Sequence, residues 1–381
     1  MSPIYLDYNA TTPIDAKVRE AMLPYLGEHF GNPSTTYGYG LRAREAVEQA
    51  RRQVAILIGA KPEEIVFTSG GSESDNQAII GIALANMGRG RHIITSRIEH
   101  PAVMNTCRYL EERLGFGVTY LPVDGYGLVD PDDVRHAIAR ETILITIMHA
   151  NNEVGTIEPI EEIGEIAGER GVIFHTDAAQ SCGKIEVNVN RMRVDLLTIA
   201  GHKLYAPKGI GALFVRSGTR VDPFIHGAGQ EGGRRAGTEN VPYAVGLGAA
   251  CEVAGDLLSG SQKNVKLLRD GLHDRIETGL GRDSVHLNGH PELRLPNTLN
   301  ISLQDIVGEA LLGKIPEIAA STGAACHAGS TEPSSVLLEM GVPRALALGA
   351  LRLTLGRWST QEEVDMAGEL IVRQAKHLVS E

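Results

Sequence analysis

Between residues 65 and 216 one pattern recurs: a short apolar run followed, in several cases, by an amphipathic stretch. The runs are "IVFTSG", "HIITS", "VTYLPV", "ILITIMHAN", "VIFHTDAA", "LLTIAGH" and "GALFVR", and the stretches between them include "SESDNQAIIGIALANMG", "HPAVMNTCRYLEERL" and "PIEEIGEIAGERG". Runs that are apolar throughout suit strands covered on both faces, and strands joined through helices can pair in parallel because such pairs need a crossover. The pattern predicts an α/β architecture with a seven-stranded, mostly parallel sheet and helices on both faces. The last link, "KLYAPKGI", is too short for a crossover helix, so the final strand is expected antiparallel to its neighbour. A long helical stretch follows at about 239–280. A second strand-and-helix section then runs from "HLNG" and "LPNTLNISL" to the C terminus. This predicts a large domain over 15–260 and a smaller α+β domain made of 1–14 and 261–381, completed by the N-terminal "IYLDYNATTP". No internal repeat or low-complexity segment interrupts the pattern.

Bulk properties remove several classes of function. At 381 residues, 43% hydrophobic and 22% charged, the composition is that of a globular protein with a sizeable core. The net charge of 36 − 47 = −11 opposes general nucleic-acid binding. Asp7, Asp15, Lys17, Arg19 and Glu20 interrupt the first twenty residues, which is unlike a signal peptide, and no apolar run approaches the ~20 residues of a membrane span. A cytoplasmic protein with neither nucleic-acid nor membrane partner is expected. The four cysteines, at 107, 182, 251 and 326, form no CxxC pair, so no metal site is expected and the thiols are expected to be free.

In open α/β sheets, ligands bind beyond the carboxyl ends of the strands. Four such ends are polar here. "FTSGGSES" places Gly70, Gly71 and Ser72 between a strand and a helix, where free N–H groups and the positive helix end suit a phosphate. "HTDAAQSCGK" puts Asp177 and Gln180 at another end, and an aspartate there can keep a heterocyclic nitrogen protonated. "TIAGHKLYAPKG" supplies His202 and Lys203, an amine that partial burial makes a usable Schiff-base nucleophile. "SRIEHPAV" adds His100, able to stack on a ring and to move protons near neutral pH. Each has an ordinary alternative: a turn glycine, a helix cap, a solvated lysine, a structural histidine. Their conjunction is the set required to hold pyridoxal 5'-phosphate.

Cys326 stands apart from the other cysteines. Cys107 in "NTCRYLEERL" and Cys251 in "GLGAACEVAG" read as small buried hydrophobes on helices. Cys326 lies in "STGAACHAGSTEPSS", a run of small polar residues with little apolar area to bury.

With these residues in view, the chain resembles the cysteine desulfurases and selenocysteine lyases of the class V aminotransferase family, pyridoxal-phosphate enzymes of fold type I. The resemblance runs nearly end to end through "YLDYNATTP", "FGNPS", "FTSGGSESDN", "HANNEVG", "HTDAAQ", "GHKLYAPKGIGAL", "GTEN" and "GAACHAGSTEPSSVL". It implies that Lys203 binds the cofactor covalently, Asp177 pairs with the ring nitrogen, Gln180 meets the ring hydroxyl, and His100 stacks on the ring. It implies further that Gly71, Ser72 and His202 hold the phosphate, with Asn152 also at the cofactor. Thr238 of "RRAGTEN" matches a residue that reaches the phosphate of the neighbouring subunit, which implies a homodimer. Arg352 and Asn152, with Asn32 of "FGNPS", match substrate-binding positions, and a guanidinium fork suits a carboxylate. Ala200 departs from the bacterial iron–sulfur-assembly enzymes, which usually carry serine before the "GHK" glycine.

In such enzymes the loop cysteine is the sulfur acceptor, a role that falls here on Cys326. The expected reaction converts L-cysteine to L-alanine, with sulfur passing to Cys326 as a persulfide and on to an acceptor or scaffold protein. "GAACH", "TIAGHK" and "RLPNTLN" lie nearer the selenocysteine lyases, whereas the spacing from Cys326 to "EPSSVL" matches the bacterial desulfurases. An aminotransferase and a non-catalytic assembly scaffold are the remaining alternatives.

Overall fold

All seven apolar runs form strands of one sheet. A computed structural model of the chain describes residues 3–323 and 332–380. After β1 (Ile4–Tyr5) the strands are β2 (Ile65–Thr68), β3 (His92–Ser96), β4 (Gly117–Leu121), β5 (Thr142–Thr146), β6 (Ile173–Asp177), β7 (Leu196–Ala200) and β8 (Gly211–Val215), in the spatial order β2-β8-β7-β6-β5-β3-β4. Pairings among β3 to β7 are parallel, while β8 runs antiparallel to both β7 and β2. The short "KLYAPKGI" link therefore reverses β8 alone, as expected. The carboxyl ends of the other six strands share one edge.

Side chains alternate across the sheet with a period of two. Phe67, Ile94, Leu197 and Phe214 face one apolar cluster, and their chain neighbours Val66, Ile93, Leu196 and Leu213 face another. The first cluster is closed by α1 (Ala16–Leu26), α2 (Gly38–Ile58) and α6 (Ile160–Arg170). The second is closed by α3 (Gly71–Asn86) and α4 (Pro101–Leu114). A short α5 (Pro131–Ala137) packs on α6.

The helix α7 (Val241–Leu280) continues for 40 residues, roughly 60 Å at 1.5 Å per residue. Val241 to Ala254 belong to the first apolar cluster, and Val265 to Ile276 to a separate one. Its most apolar window has a mean hydropathy of 1.3, enough by length and composition to cross a membrane, but 56% of that window is buried within the protein. Packing against α1 and α2 accounts for that apolarity.

The separate cluster is built by β9 (Val285–Leu287), β10 (Thr298–Leu303) and β12 (Ala350–Thr354) in the order β12-β10-β9, with α8 (Gly308–Gly313) and α11 (Gln361–Ser380). Ile4 and Leu6 join it, because β1 pairs with β11 (Ile318–Ala319) and Asp7 bridges to Thr354. The short helices α9 (Ser335–Glu339) and α10 (Arg344–Ala347) pack through Leu337, Met340 and Ala347 on Ile98, Met148 and Val154 beyond the main sheet.

Candidate active site

The shared carboxyl edge opens into a cavity of about 340 Å³. Nine residues singled out in the sequence line it: Gly71, Ser72, His100, Asn152, Asp177, Gln180, His202, Lys203 and Arg352. Three do not join them. Asn32 is exposed and ties its side-chain oxygen to the Ser34 N–H at 2.9 Å, while Thr238 is exposed just ahead of α7. Cys326 lies outside the described residues.

Lys203 ends the tight turn Gly201–Lys203 that follows β7. Its Nζ donates to the main-chain carbonyls of Asn9 and of Ala10, the latter at 2.8 Å. Burial is the largest influence on this amine and pushes it down to about 8, with the Arg352 charge acting in the same direction and Asp177 and Asp7 opposing. Neutral amine therefore accumulates as pH rises through about 8, well below the usual lysine value of 10.5. In cofactor-free protein, the rate of aldehyde capture at Lys203 is expected to climb across that range and level off above it. A stopped-flow series with pyridoxal 5'-phosphate checks this; a rate still climbing at pH 10 would show an ordinary solvated lysine.

Asp177 ends β6 and is buried, its Oδ1 accepting the Ala179 N–H at 2.8 Å. Burial raises its pKa, and that backbone hydrogen bond pulls the other way. Asp75, on the first turns of α3, is also fully buried, and its Oδ1 has no hydrogen-bond partner among the described residues. Its pKa is raised strongly, first by burial and then by the Asp177 charge. The nearest basic group, His175 Nε2 at 3.8 Å, gives no countercharge because burial pushes that imidazole down to about 3. Polar atoms of Asp75, Asp177 and His100 lie within 4.8 Å of one another. Two buried carboxyls facing each other favour a cationic group between or beside them, either a protonated ring nitrogen or a metal ion.

His100 caps α4. Its Nδ1 accepts the Ala102 N–H at 3.1 Å, so the neutral ring carries its proton on Nε2. Burial lowers its pKa, with Asp177 opposing and Lys203 adding to the effect. His202 is likewise pushed down to about 4, chiefly by burial and then by the Lys203 charge, which leaves a neutral imidazole on the wall of the cavity that the start of α3 also lines.

That helix start is suited to an anion. Gly70 caps α3 at φ 151°, a conformation glycine reaches without strain, and a Cβ on Gly71 would stand 3.2 Å from the Ala200 Cβ. The first N–H groups of a helix lack intrahelical partners, and here they face the cavity beside Ser72. The one acidic residue in the first turn, Glu73, is paired with Arg235 at 2.9 Å.

Arg352 comes from β12, on the far side of the cavity. Its Nη2 donates to Asp7 Oδ1 at 2.8 Å and its Nη1 to the Asn152 carbonyl at 3.4 Å, while the buried Nε has no partner among the described residues. Asn9, which carried no role in the sequence reading, is the hub between the two sides. Its Nδ2 donates to the Asn152 carbonyl and to Thr298, and its main-chain carbonyl accepts from Gln180 and Lys203. Asp75 also went unassigned, although it sits four residues after Gly71 on the same helical face, a spacing that marks it.

Fold and site together define an α/β enzyme acting at the carboxyl edge of a mostly parallel sheet. The chain belongs to the class V aminotransferase family, whose model (Aminotransferase class-V) matches residues 4–366. Cysteine desulfurase IscS from Methanosarcina thermophila is 52% identical over 370 residues, covering 97% of this chain and 91% of that protein. Among solved structures, a NifS-like protein superposes with a TM-score of 0.92 at 38% identity, covering 98% of this chain and all (100%) of that one. A second, SspA in complex with cysteine, superposes at 0.81 with 39% identity, covering 93% and 99% of the two chains. Enzymes of this family depend on pyridoxal 5'-phosphate.

Proposed function

We propose that the protein is a pyridoxal 5'-phosphate-dependent cysteine desulfurase that converts L-cysteine to L-alanine and passes the sulfur to Cys326 as a persulfide. The observation that carries this reading is the meeting of Lys203, Asp177, His100 and the start of α3 in one cavity, with Arg352 opposite. The donor set fits the cofactor. A fully buried carboxyl with an orphaned neighbour, Asp75 Oδ1, suits a protonated ring nitrogen, and the α3 start with neutral His202 suits a phosphate.

In this reading Lys203 would hold the cofactor covalently, Asp177 would keep its ring nitrogen protonated, Gln180 would donate to its ring oxygen, and His100 and Asn152 would serve the same site. Gly71, Ser72 and His202 would take the phosphate. When bound, the cofactor supplies an electron sink for the carbanion formed at the substrate α carbon. Arg352 and Asn152 orient the substrate carboxylate. The Lys203 amine, pushed down to about 8, accepts and returns the α proton near neutral pH, and His100 Nε2 can give or take a proton at the substrate thiol. A Cys326 thiolate then attacks the substrate sulfur. The C–S bond breaks, an S–S bond forms, and the β carbon gains a proton, so that cysteine plus a thiol gives alanine plus a persulfide with no external oxidant. The three described cysteines are poor substitutes: all are buried, and burial raises each thiol, Cys107 to about 12.

Thr238, exposed and outside its own cavity, supports a homodimer in which it reaches the partner subunit's phosphate. Asn32 is also exposed, which suits a substrate contact made across such an association. The two apolar clusters along α7 support domains of 15–260 and of 1–14 with 261–381. We place the protein in the cytoplasm, where thiols stay reduced, handing sulfur to an acceptor of iron–sulfur or thiolation chemistry.

The test is incubation of purified protein with L-cysteine and, separately, L-selenocysteine, with alanine, sulfide and selenide measured. Alanine formed one-for-one with transferred sulfur is expected. Exchange of amino and keto acids without persulfide would replace the reading with an aminotransferase. Arg352→Ala is expected to raise the KM for L-cysteine about 10- to 100-fold, since charge-assisted hydrogen bonds contribute about 1.5–3 kcal/mol each. Cofactor absorbance should survive this change. Unchanged cysteine kinetics would remove Arg352 from the site.

A further inference from the structure

A second lysine is built into the site from beneath, and neither the fold nor the reaction accounts for it. Lys184 follows Gln180 by one helical-type turn in "QSCGK". The residue is half-buried as a whole, but its side chain runs inward and its amine end is enclosed. Gly183 ahead of it, at φ +73°, has no room for a side chain: a Cβ there would stand 2.0 Å from Leu204. Lys184 Nζ donates to two amide oxygens, Asn9 Oδ1 at 2.8 Å and Gln180 Oε1 at 2.8 Å. Neither is a carboxylate. The nearby charges that act on it, Lys203 and Arg352, are both cationic and lower its pKa, with burial the largest cause. A buried amine without an acid is costly, and it is a poor stabilising device.

Its contacts do set hydrogen-bond polarity. An amide side chain can present either its oxygen or its NH2 in a given direction, and its neighbours decide which. As an ammonium, Lys184 has only donors to offer these partners, and Gln180 turns Oε1 toward it. One Nε2–H then meets the Asn9 main-chain carbonyl at 3.0 Å, and the second is left for the cavity that Gln180 lines. Asn9 is oriented in the same way: Oδ1 takes Lys184 and Asn297, which sends Nδ2 to Asn152 and Thr298. Asn9 in turn supplies the carbonyl that receives Lys203.

We infer that Lys184 is a positioning residue for the cofactor: acting through Gln180 and Asn9, it holds an amide N–H donor toward the ring oxygen of the bound pyridoxal 5'-phosphate. This rests on the cofactor reading above. A donor at that oxygen lowers the proton affinity of the bound chromophore, so losing it moves the chromophore's titration upward.

The measurement is the pH midpoint of the visible absorption band of the holoenzyme. Lys184→Met, which keeps the length and removes the amine, is expected to raise that midpoint by about half a unit to one unit. Gln180→Ala is expected to raise it similarly, and the double variant no further than Gln180→Ala alone, because Lys184 acts through Gln180. Lys184→Gln, which keeps an N–H donor, is expected to fall between wild type and Lys184→Met. An unshifted midpoint in Lys184→Met, or shifts that add in the double variant, overturns the inference. If Lys184→Met does not fold, a Lys184→Gln midpoint at or beyond that of Gln180→Ala does the same. Failure of the cofactor reading is distinct, because wild type would then show no visible band.

Discussion

Lys203→Ala is expected to abolish covalent cofactor attachment and to lower alanine formation from L-cysteine by on the order of 10³-fold or more, the scale of losing a positioned general base that also anchors the reactive group. Among the described residues the geometry leaves no replacement. Lys203 is the one lysine of these that lines the cavity, and its amine is partly neutral near pH 8. Lys184 is near, but its Nζ is committed to the side chains of Asn9 and Gln180 and does not line the cavity. Noncovalent cofactor binding should survive in part, since Asp177, His100, His202 and the α3 start are untouched. Borohydride reduction of the wild-type holoenzyme followed by peptide mapping checks the assignment. A label on Lys184, on another lysine, or on none sinks it.

The second large effect is expected at Cys326. In Cys326→Ala the visible band should be retained and cysteine should still bind, because Arg352, Asn152 and Lys203 remain. Alanine formation from cysteine should fall by about two orders of magnitude, since sulfur is a poor group to expel as a free ion and an acceptor nucleophile divides the step. Cys107, Cys182 and Cys251 cannot take over, being buried with raised thiol pKa values. A selenol is more acidic and its C–Se bond weaker, so the same variant should keep a substantial share of its turnover of L-selenocysteine. Mass spectrometry of wild type after cysteine should find a persulfide on Cys326. Full cysteine turnover by the variant, with no persulfide on wild type, would leave Cys326 as a small residue in a polar run.

Much of this architecture was legible along the chain because its signals are local. The strands of the main sheet are short, largely apolar runs, buried on both faces except at the half-exposed edge strand β4, and a link the length of "KLYAPKGI" admits only an antiparallel return. The polar residues at the strand ends were legible for the same reason: a parallel sheet brings such ends to one edge whatever the details of packing. Gly71, His100, Asp177 and Lys203 meet there accordingly. The apolar first half of α7 was harder to place, since only its partners α1 and α2 show that the stretch is core rather than something longer-range in purpose.

Residue types, their order and the βα alternation are thus properties of the one-dimensional chain, and they suffice for the class of fold and for the chemistry at each strand end. The closure of the site is not local. Arg352 meets Asp7 across 345 residues of sequence and Asn9 meets Thr298 across 289, pairs set by the register of β12 and β10 and by the bridge from Asp7 to Thr354. Such contacts carry no periodic signature, because the chain between them contributes nothing to their spacing. Burial has the same character. That Asp75 Oδ1 is left without a partner among the described residues, that Lys203 is pushed down to about 8 and that Lys184 turns inward follow from what surrounds each group, and desolvation is a property of the assembled interior rather than of any segment.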